Sequence, residues 1–214
     1  MHIEAGSLLR PLSKAVLCAA LLSSLAGCVA VVAGAAVSGA VATADRRTLG
    51  AQTEDKSITV KAEMRLANLG GDAGHINIAS FNRKVLITGE VPTAADKATA
   101  EREVRAIEGV QSVANELIVS GPASYTARSS DALVTTRVKA SLVEMKTISA
   151  ASFKVVTENG TVYLMGRVTQ REGDVATEVT KSVVGVQKVV KLFEYITEEE
   201  LRAITPQPMQ STQL

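Results

Sequence analysis

From about residue 54 onward the chain is written twice, and a unit that must fold and then fold again limits the architecture more than any compositional figure does. Ile58, Ala62 and Leu66 align with Val134, Val138 and Leu142, and both triplets carry the i, i+4, i+8 spacing of an amphipathic helix. Lys84-Val85-Leu86-Ile87-Thr88-Gly89-Glu90-Val91 then aligns with Thr161-Val162-Tyr163-Leu164-Met165-Gly166-Arg167-Val168. Gly109-Val110-Gln111-Ser112-Val113 aligns with Gly185-Val186-Gln187-Lys188-Val189. The successive offsets of 76, 77 and 76 residues require only single-residue loop differences between copies covering residues 54–120 and 130–196.

Each copy reads as helix, strand, strand, helix, strand. Asn159-Gly160 separates two strand-like runs and is a two-residue hairpin signal, because both residue types tolerate positive φ; Asn82-Arg83 is its weaker counterpart. Thr93 stands three residues before Asp96, and Thr169 three before Glu172, so each second helix starts with a hydroxyl and a carboxylate placed to cap free N–H groups. Ala100, Val104 and Ile107 are the expected buried stripe of that helix in the first copy, and Val175, Val179 and Val183 in the second. Gly109 and Gly185 follow as left-handed terminators. The closing strands are expected over 112–120 and 186–196. The fold class is therefore α+β: two αββαβ units, each a three-stranded sheet packed against two helices. With 3% aromatics and no Trp, the cores must be built from Val, Ile, Leu and Ala. A unit of about 65 residues is near the smallest size for which such a core suffices.

The N-terminal region carries a different signal. Arg10 and Lys14 precede an apolar run over residues 15–22, and Leu25-Ala26-Gly27-Cys28 follows. That segment resembles the lipobox of bacterial lipoproteins, in which the Cys thiol takes a diacylglycerol and the new N-terminus an acyl chain. The resemblance implies a signal peptide over 1–27 and lipid attachment at Cys28, with no other cofactor. A transmembrane helix is the rival reading, since no charge lies between Lys14 and Asp45, but residues 30–44 are mostly Ala, Val, Gly and Ser, with little Leu, Ile or Phe to hold a span. Val29, in place of the Asp that marks inner-membrane retention in enterobacterial lipoproteins, points to the outer membrane. Residues 28–52 then form an acylated tether. Cys18 falls in the signal and Cys28 is acylated, so no disulfide and no Cys-based metal site is expected.

An amphipathic helix, a hairpin with Gly near the end of its second strand, a helix, and Gly-Val-x-x-Val opening the last strand resemble the BON domain. A lipobox, an Ala/Val/Gly stretch, Asp45-Arg46-Arg47-Thr48-Leu49-Gly50-Ala51-Gln52-Thr53 and two such units are similar to the dual-BON outer-membrane lipoproteins. The resemblance implies a first BON domain at 53–121, a second at 128–197 and a C-terminal tail at 198–214. It implies a non-enzymatic, lipid-anchored protein facing the periplasm, which binds anionic phospholipid membranes through the second BON domain and supports envelope integrity. The alternative is an adaptor for outer-membrane assembly or division proteins, docking through exposed strand edges.

Charge separates the copies. Residues 53–121 hold 8 Lys/Arg against 10 Asp/Glu, net −2, whereas residues 128–197 hold 10 against 7, net +3. Each basic group near an anionic bilayer contributes about 1 kcal/mol. On a helix expected over 130–145, Leu133 lies about 100° from the core residue Val134 and one turn before Arg137. Leu133, Arg137, Lys139 and Arg128 are therefore the expected phospholipid contacts. His75 reads as a solvated loop residue at a strand start, and a lone imidazole supplies neither a catalytic triad nor a metal set, so no catalytic and no metal residues are expected. Glu101, Glu103 and Glu108 read as a helix face paired with Arg102 and Arg105 rather than an acid/base pair. Few aromatics for base stacking, and a lipoprotein signal, argue against nucleic acid.

Overall fold

A computed structural model describes residues 45–71 and 74–204, and these described residues belong to one compact unit. The expected signal peptide, Cys28, the tether up to residue 44 and the last ten residues of the tail lie outside the described residues. No helix among the described residues is long and apolar enough to cross a membrane.

The first copy comprises α1 (Leu49–Leu66), β1 (His75–Phe81), β2 (Lys84–Val91), α2 (Ala94–Arg105), β3 (Ser112–Asn115) and β4 (Ile118–Val119). The second comprises α3 (Tyr125–Glu144), a 3₁₀ turn (Ala150–Ser152), β5 (Phe153–Glu158), β6 (Thr161–Val168), α4 (Gln170–Lys181) and β7 (Lys188–Tyr195), followed by α5 (Glu198–Ile204). In each, a hairpin sets two antiparallel strands and the second helix returns the chain so that the last strand pairs in parallel with the middle one. Both hairpin turns take the positive φ expected of them, at Asn82 (48°), Arg83 (65°), Asn159 (48°) and Gly160 (70°). Thr93 and Thr169 cap their helices as expected, the latter in a full capping box with Glu172. The repeated Gly at the end of β2 has a steric cause: a Cβ on Gly89 would meet the carbonyl oxygen of its neighbour His75 at 2.0 Å.

Two expectations need correction. The closing strand of the first copy is not continuous over 112–120. Asn115 bonds across to the Lys97 carbonyl and accepts the N–H of Leu117, a local turn that drives Leu117 into the core and splits the strand into β3 and β4. In α4 the fully buried stripe is Glu172, Gly173, Ala176, Thr177 and Thr180, while Val175, Val179 and Val183 are only half-buried against the core. Gly173 sits on that stripe because Phe193 and Tyr195 pack within 3.2 Å of where its Cβ would be. Ala100, Val104 and Ile107 in the first copy are buried as expected.

The helices cover one face of each sheet, and the uncovered faces pack on each other. Along β2, Val85, Ile87 and Val91 point to the helices, while Leu86 points away; along β6, Val162, Leu164 and Val168 do so, and Tyr163 and Met165 point away. Ala79, Phe81, Leu86, Tyr163 and Met165 form a third core between the copies, flanked by Ala114, Val156, Val190 and Leu192. Burial, and then Glu116 and Glu158, push the Tyr163 hydroxyl up to about 12. The rim is reciprocal: Asn82 of the first hairpin turn donates to Glu194 on β7, and Asn159 of the second donates to Glu90 on β2. Lys154 Nζ donates to the Ser80 carbonyl, and Lys84 Nζ to the carbonyls of Leu192 and Phe193.

The stretch just before α1 belongs to this body rather than to a loose tether. Arg46 makes a bidentate pair with buried Glu172 of the second copy, both contacts at 2.7 Å, and Arg47 pairs with Asp55 and lies over the Phe81 ring. Burial raises Glu172, but its bonds with Arg46 and the Thr169 N–H bring it below the usual carboxylate range.

Candidate functional site

Helix α3 begins at a serine cap, Ser124 accepting the N–H of Ala127, and buries Asp131, Val134, Val138 and Leu142. These residues recur every three or four positions, so one side faces the core and the other lies on the surface. The surface side presents Leu133, 58% exposed, together with Ala132, Thr136, Ala140 and Val143. Arg137 and Lys139 are exposed at its two borders, about 160° apart around the helix axis. Between Ser129 and Val143 the only carboxylate is Asp131, and it is buried. The turn into β7 extends the apolar strip: Val184 is 78% exposed, and its carbonyl accepts a bond from Arg137 Nη1 at 3.3 Å.

Leu133, Arg137 and Lys139 thus share one solvent-facing surface, as the sequence suggested. Arg128 does not join them. It is half-buried, lies over the Tyr125 ring, and lines the cleft between the copies, about three turns before Lys139 along the helix. The first copy offers a partial equivalent that the periodicity did not single out. Val60 and Met64 are exposed on α1, but Glu63 stands where the second copy has Lys139.

Sequence reasoning also missed a matched pair of buried aspartates, although the 76-residue offset relates them. Asp55 accepts from the Asn82 and Arg83 N–H groups and the Ser80 hydroxyl; Asp131 accepts from the Asn159 and Gly160 N–H groups. Each first helix therefore holds its own hairpin turn in register. Burial would raise Asp55, but the bonds from Ser80, Arg83, Asn82 and Arg47 lower it overall.

The cleft lined by Arg128 holds a second polar group. His75 is not a solvated loop residue: it opens β1, its side chain is only 29% exposed, and Nδ1 is buried without a hydrogen-bond partner, 3.7 Å from Glu90 Oε2. Burial, with Arg128, lowers its proton affinity against the pull of Glu90. Glu90 and Glu158 are buried beside it, 2% and 5% exposed. Burial raises Glu158, reinforced by Glu90 and Asp131 and opposed by Thr88 and Arg128. Glu101 pairs with Arg105 on exposed α2, as expected.

Two αββαβ units in tandem, each with its first helix buttressing a hairpin, define a tandem BON-domain protein. The chain belongs to the BON domain family, which it matches over residues 54–121 and 130–197. It is 38% identical over 192 residues to the outer membrane lipoprotein DolP of Haemophilus influenzae, covering 88% of this chain and 98% of that protein. It is 34% identical to the 21 kDa hemolysin of Actinobacillus pleuropneumoniae, covering 71% and 79% respectively. Similarity at 29% identity extends to the osmotically-inducible protein Y of Escherichia coli, covering 64% and 70%.

Proposed function

We propose that this protein is a non-enzymatic, lipid-anchored outer-membrane lipoprotein facing the periplasm, which binds anionic phospholipid through the outer side of α3 in its second BON domain and so supports envelope integrity. One observation carries the reading: the exposed residues of α3 from Ser129 to Val143 combine Leu133 and Val143 with Arg137 and Lys139, and the one exposed carboxylate on that side, Glu144, stands at the very end of the helix. Such a surface loses little on entering an anionic interface and gains from both terms. Burying most of a Leu side chain is worth about 2 kcal/mol, and each of the two cations adds about 1 kcal/mol at the headgroup level.

The lipobox-like segment ending at Cys28 supports the anchor, and the similarity to an outer membrane lipoprotein supports the compartment. Acylation on Cys28 raises the local concentration of α3 at the bilayer, so a weak surface contact suffices. The face-to-face packing of the sheets leaves the α3 surface free for the membrane.

The test is sedimentation of residues Thr43–Leu214 with vesicles of phosphatidylglycerol and phosphatidylcholine. Leu133→Glu is expected to reduce binding at least tenfold, and Arg137→Gln and Lys139→Gln several-fold each, whereas Met64→Glu on α1 leaves it unchanged. Undiminished binding by Leu133→Glu overturns the residue assignment. Absence of binding by the unaltered unit favours an adaptor that docks on envelope proteins.

A further inference from the structure

We propose that His75, Glu90 and Glu158 form a site for a divalent transition metal, Zn²⁺ suiting the donors best, which clamps the two BON domains where their sheets meet. His75 on β1 and Glu90 on β2 belong to the first copy and Glu158 on β5 to the second, so an ion held by all three bridges the copies. One imidazole nitrogen and two carboxylate oxygens lie within 4.8 Å of one another. An imidazole with carboxylates is a set that binds zinc, with a fourth position left for water.

The distances favour an ion over a hydrogen bond. The 3.7 Å between His75 Nδ1 and Glu90 Oε2 is too long for a hydrogen bond, and Nδ1 is buried with no hydrogen-bond partner among the described residues. Two donors that far apart, each about 2.1 Å from a shared ion, subtend about 124° at it, so closing them by a few tenths of an ångström reaches the tetrahedral angle. Glu90 is also held in place as a ligand is. Its Oε1 accepts from Asn159 Nδ2 at 2.6 Å and its Oε2 from the Ala123 N–H at 3.1 Å, and each oxygen keeps a lone pair free. Two buried carboxylates side by side repel each other, and a dication between them removes that repulsion.

Among the described residues the other charged groups facing the site are Arg128 and Asp131, both on α3, and the cleft of about 310 Å³ that they line gives an ion its way in. Arg128, whose Nε is buried without a partner, is the group that opposes a cation here. Its removal should tighten binding, an effect that a purely structural role for these residues does not produce.

The unit Thr43–Leu214 suits the test because it contains no Cys and His75 is its one His. Zn²⁺ is titrated into it at neutral pH by calorimetry, with the imidazole proton signals followed by NMR. The expected result is one saturable site, a stoichiometric shift of the His75 signals, at least a tenfold loss of affinity in His75→Gln and in Glu158→Gln, and a several-fold gain in Arg128→Gln. The NMR readout needs no variant, so it holds even if a substitution unfolds the unit. Imidazole signals that do not move, or affinity unchanged in both His75→Gln and Glu158→Gln, overturn the site.

Discussion

Replacing Asp55 with Ala removes the acceptor that holds the first hairpin turn, and its cost follows from what it leaves behind. Asp55 accepts from Ser80 Oγ at 2.6 Å, Asn82 N at 2.7 Å, Arg83 N at 2.8 Å and Arg47 Nη1 at 2.6 Å. The turn it supports places two non-glycine residues, Asn82 and Arg83, at positive φ, a conformation that disfavours L-residues by about 1 kcal/mol each. A hydrogen bond to a charged group contributes about 1.5–3 kcal/mol, and breaking a buried ion pair by removing one partner costs about 3–5 kcal/mol. The turn is partly open to water, which can replace some of these partners, so the terms do not add in full and about 4 kcal/mol is expected. Asp131→Ala strips two N–H groups from a turn that already contains Gly160 and has no arginine pair, for about 2 kcal/mol. Urea unfolding of residues Thr43–Leu214 measures both. In an Arg47→Ala background the difference between the two aspartate variants should shrink, as expected of coupled partners. The reasoning is refuted if Asp55→Ala costs no more than Asp131→Ala.

The same carboxylate sets a pH dependence. Asp55 is held below its ordinary 3.8, so its contribution is present above that value and is lost as pH falls through the lower folded value; acid unfolding of Asp55→Asn should show a shallower slope there. Glu158 has the opposite sign. Its folded value lies above the ordinary 4.5, so the penalty is absent below 4.5 and grows as pH rises through the folded value. With chelator present, Glu158→Gln should therefore raise the urea midpoint at neutral pH and leave it unchanged below 4.5. Arg46→Ala should cost about 3 kcal/mol, because it leaves Glu172 buried with only its cap contacts, and urea unfolding checks it.

Local structure was legible because it depends on neighbours in the chain. Asn159-Gly160 announced a turn, the Thr93 and Thr169 caps announced helices, and the 76-residue offset announced a second copy. The sheet-on-sheet packing was written more faintly. Val85-Leu86-Ile87 and Val162-Tyr163-Leu164-Met165 do not alternate with polar residues, and an unbroken apolar strand means both faces are covered. Helices on one face left the other needing a partner, and the other copy supplies it. The break in the first closing strand was hidden because the local turn at Asn115 is fixed by a second bond to Lys97, on a helix 18 residues earlier. At the candidate membrane surface, spacing around one helix sufficed for Leu133, Arg137 and Lys139. It failed for Arg128, which lies on the same helix but is claimed by a cleft that exists only once the copies have packed. His75 was misjudged for the same reason: its carboxylate neighbours come from β2 and from the other copy.

The account turns on which surface meets the membrane, and a single reporter at that surface answers it. Residues Thr43–Leu214 contain no Cys, so Ala140→Cys, an exposed position two turns from Leu133 on the same face of α3, accepts one environment-sensitive dye. Emission from this site should shift to the blue on adding phosphatidylglycerol vesicles and stay unchanged with phosphatidylcholine alone, while the same dye at Met64→Cys on α1 shows no shift with either. A blue shift at position 64 with none at 140 would show that the wrong copy had been chosen.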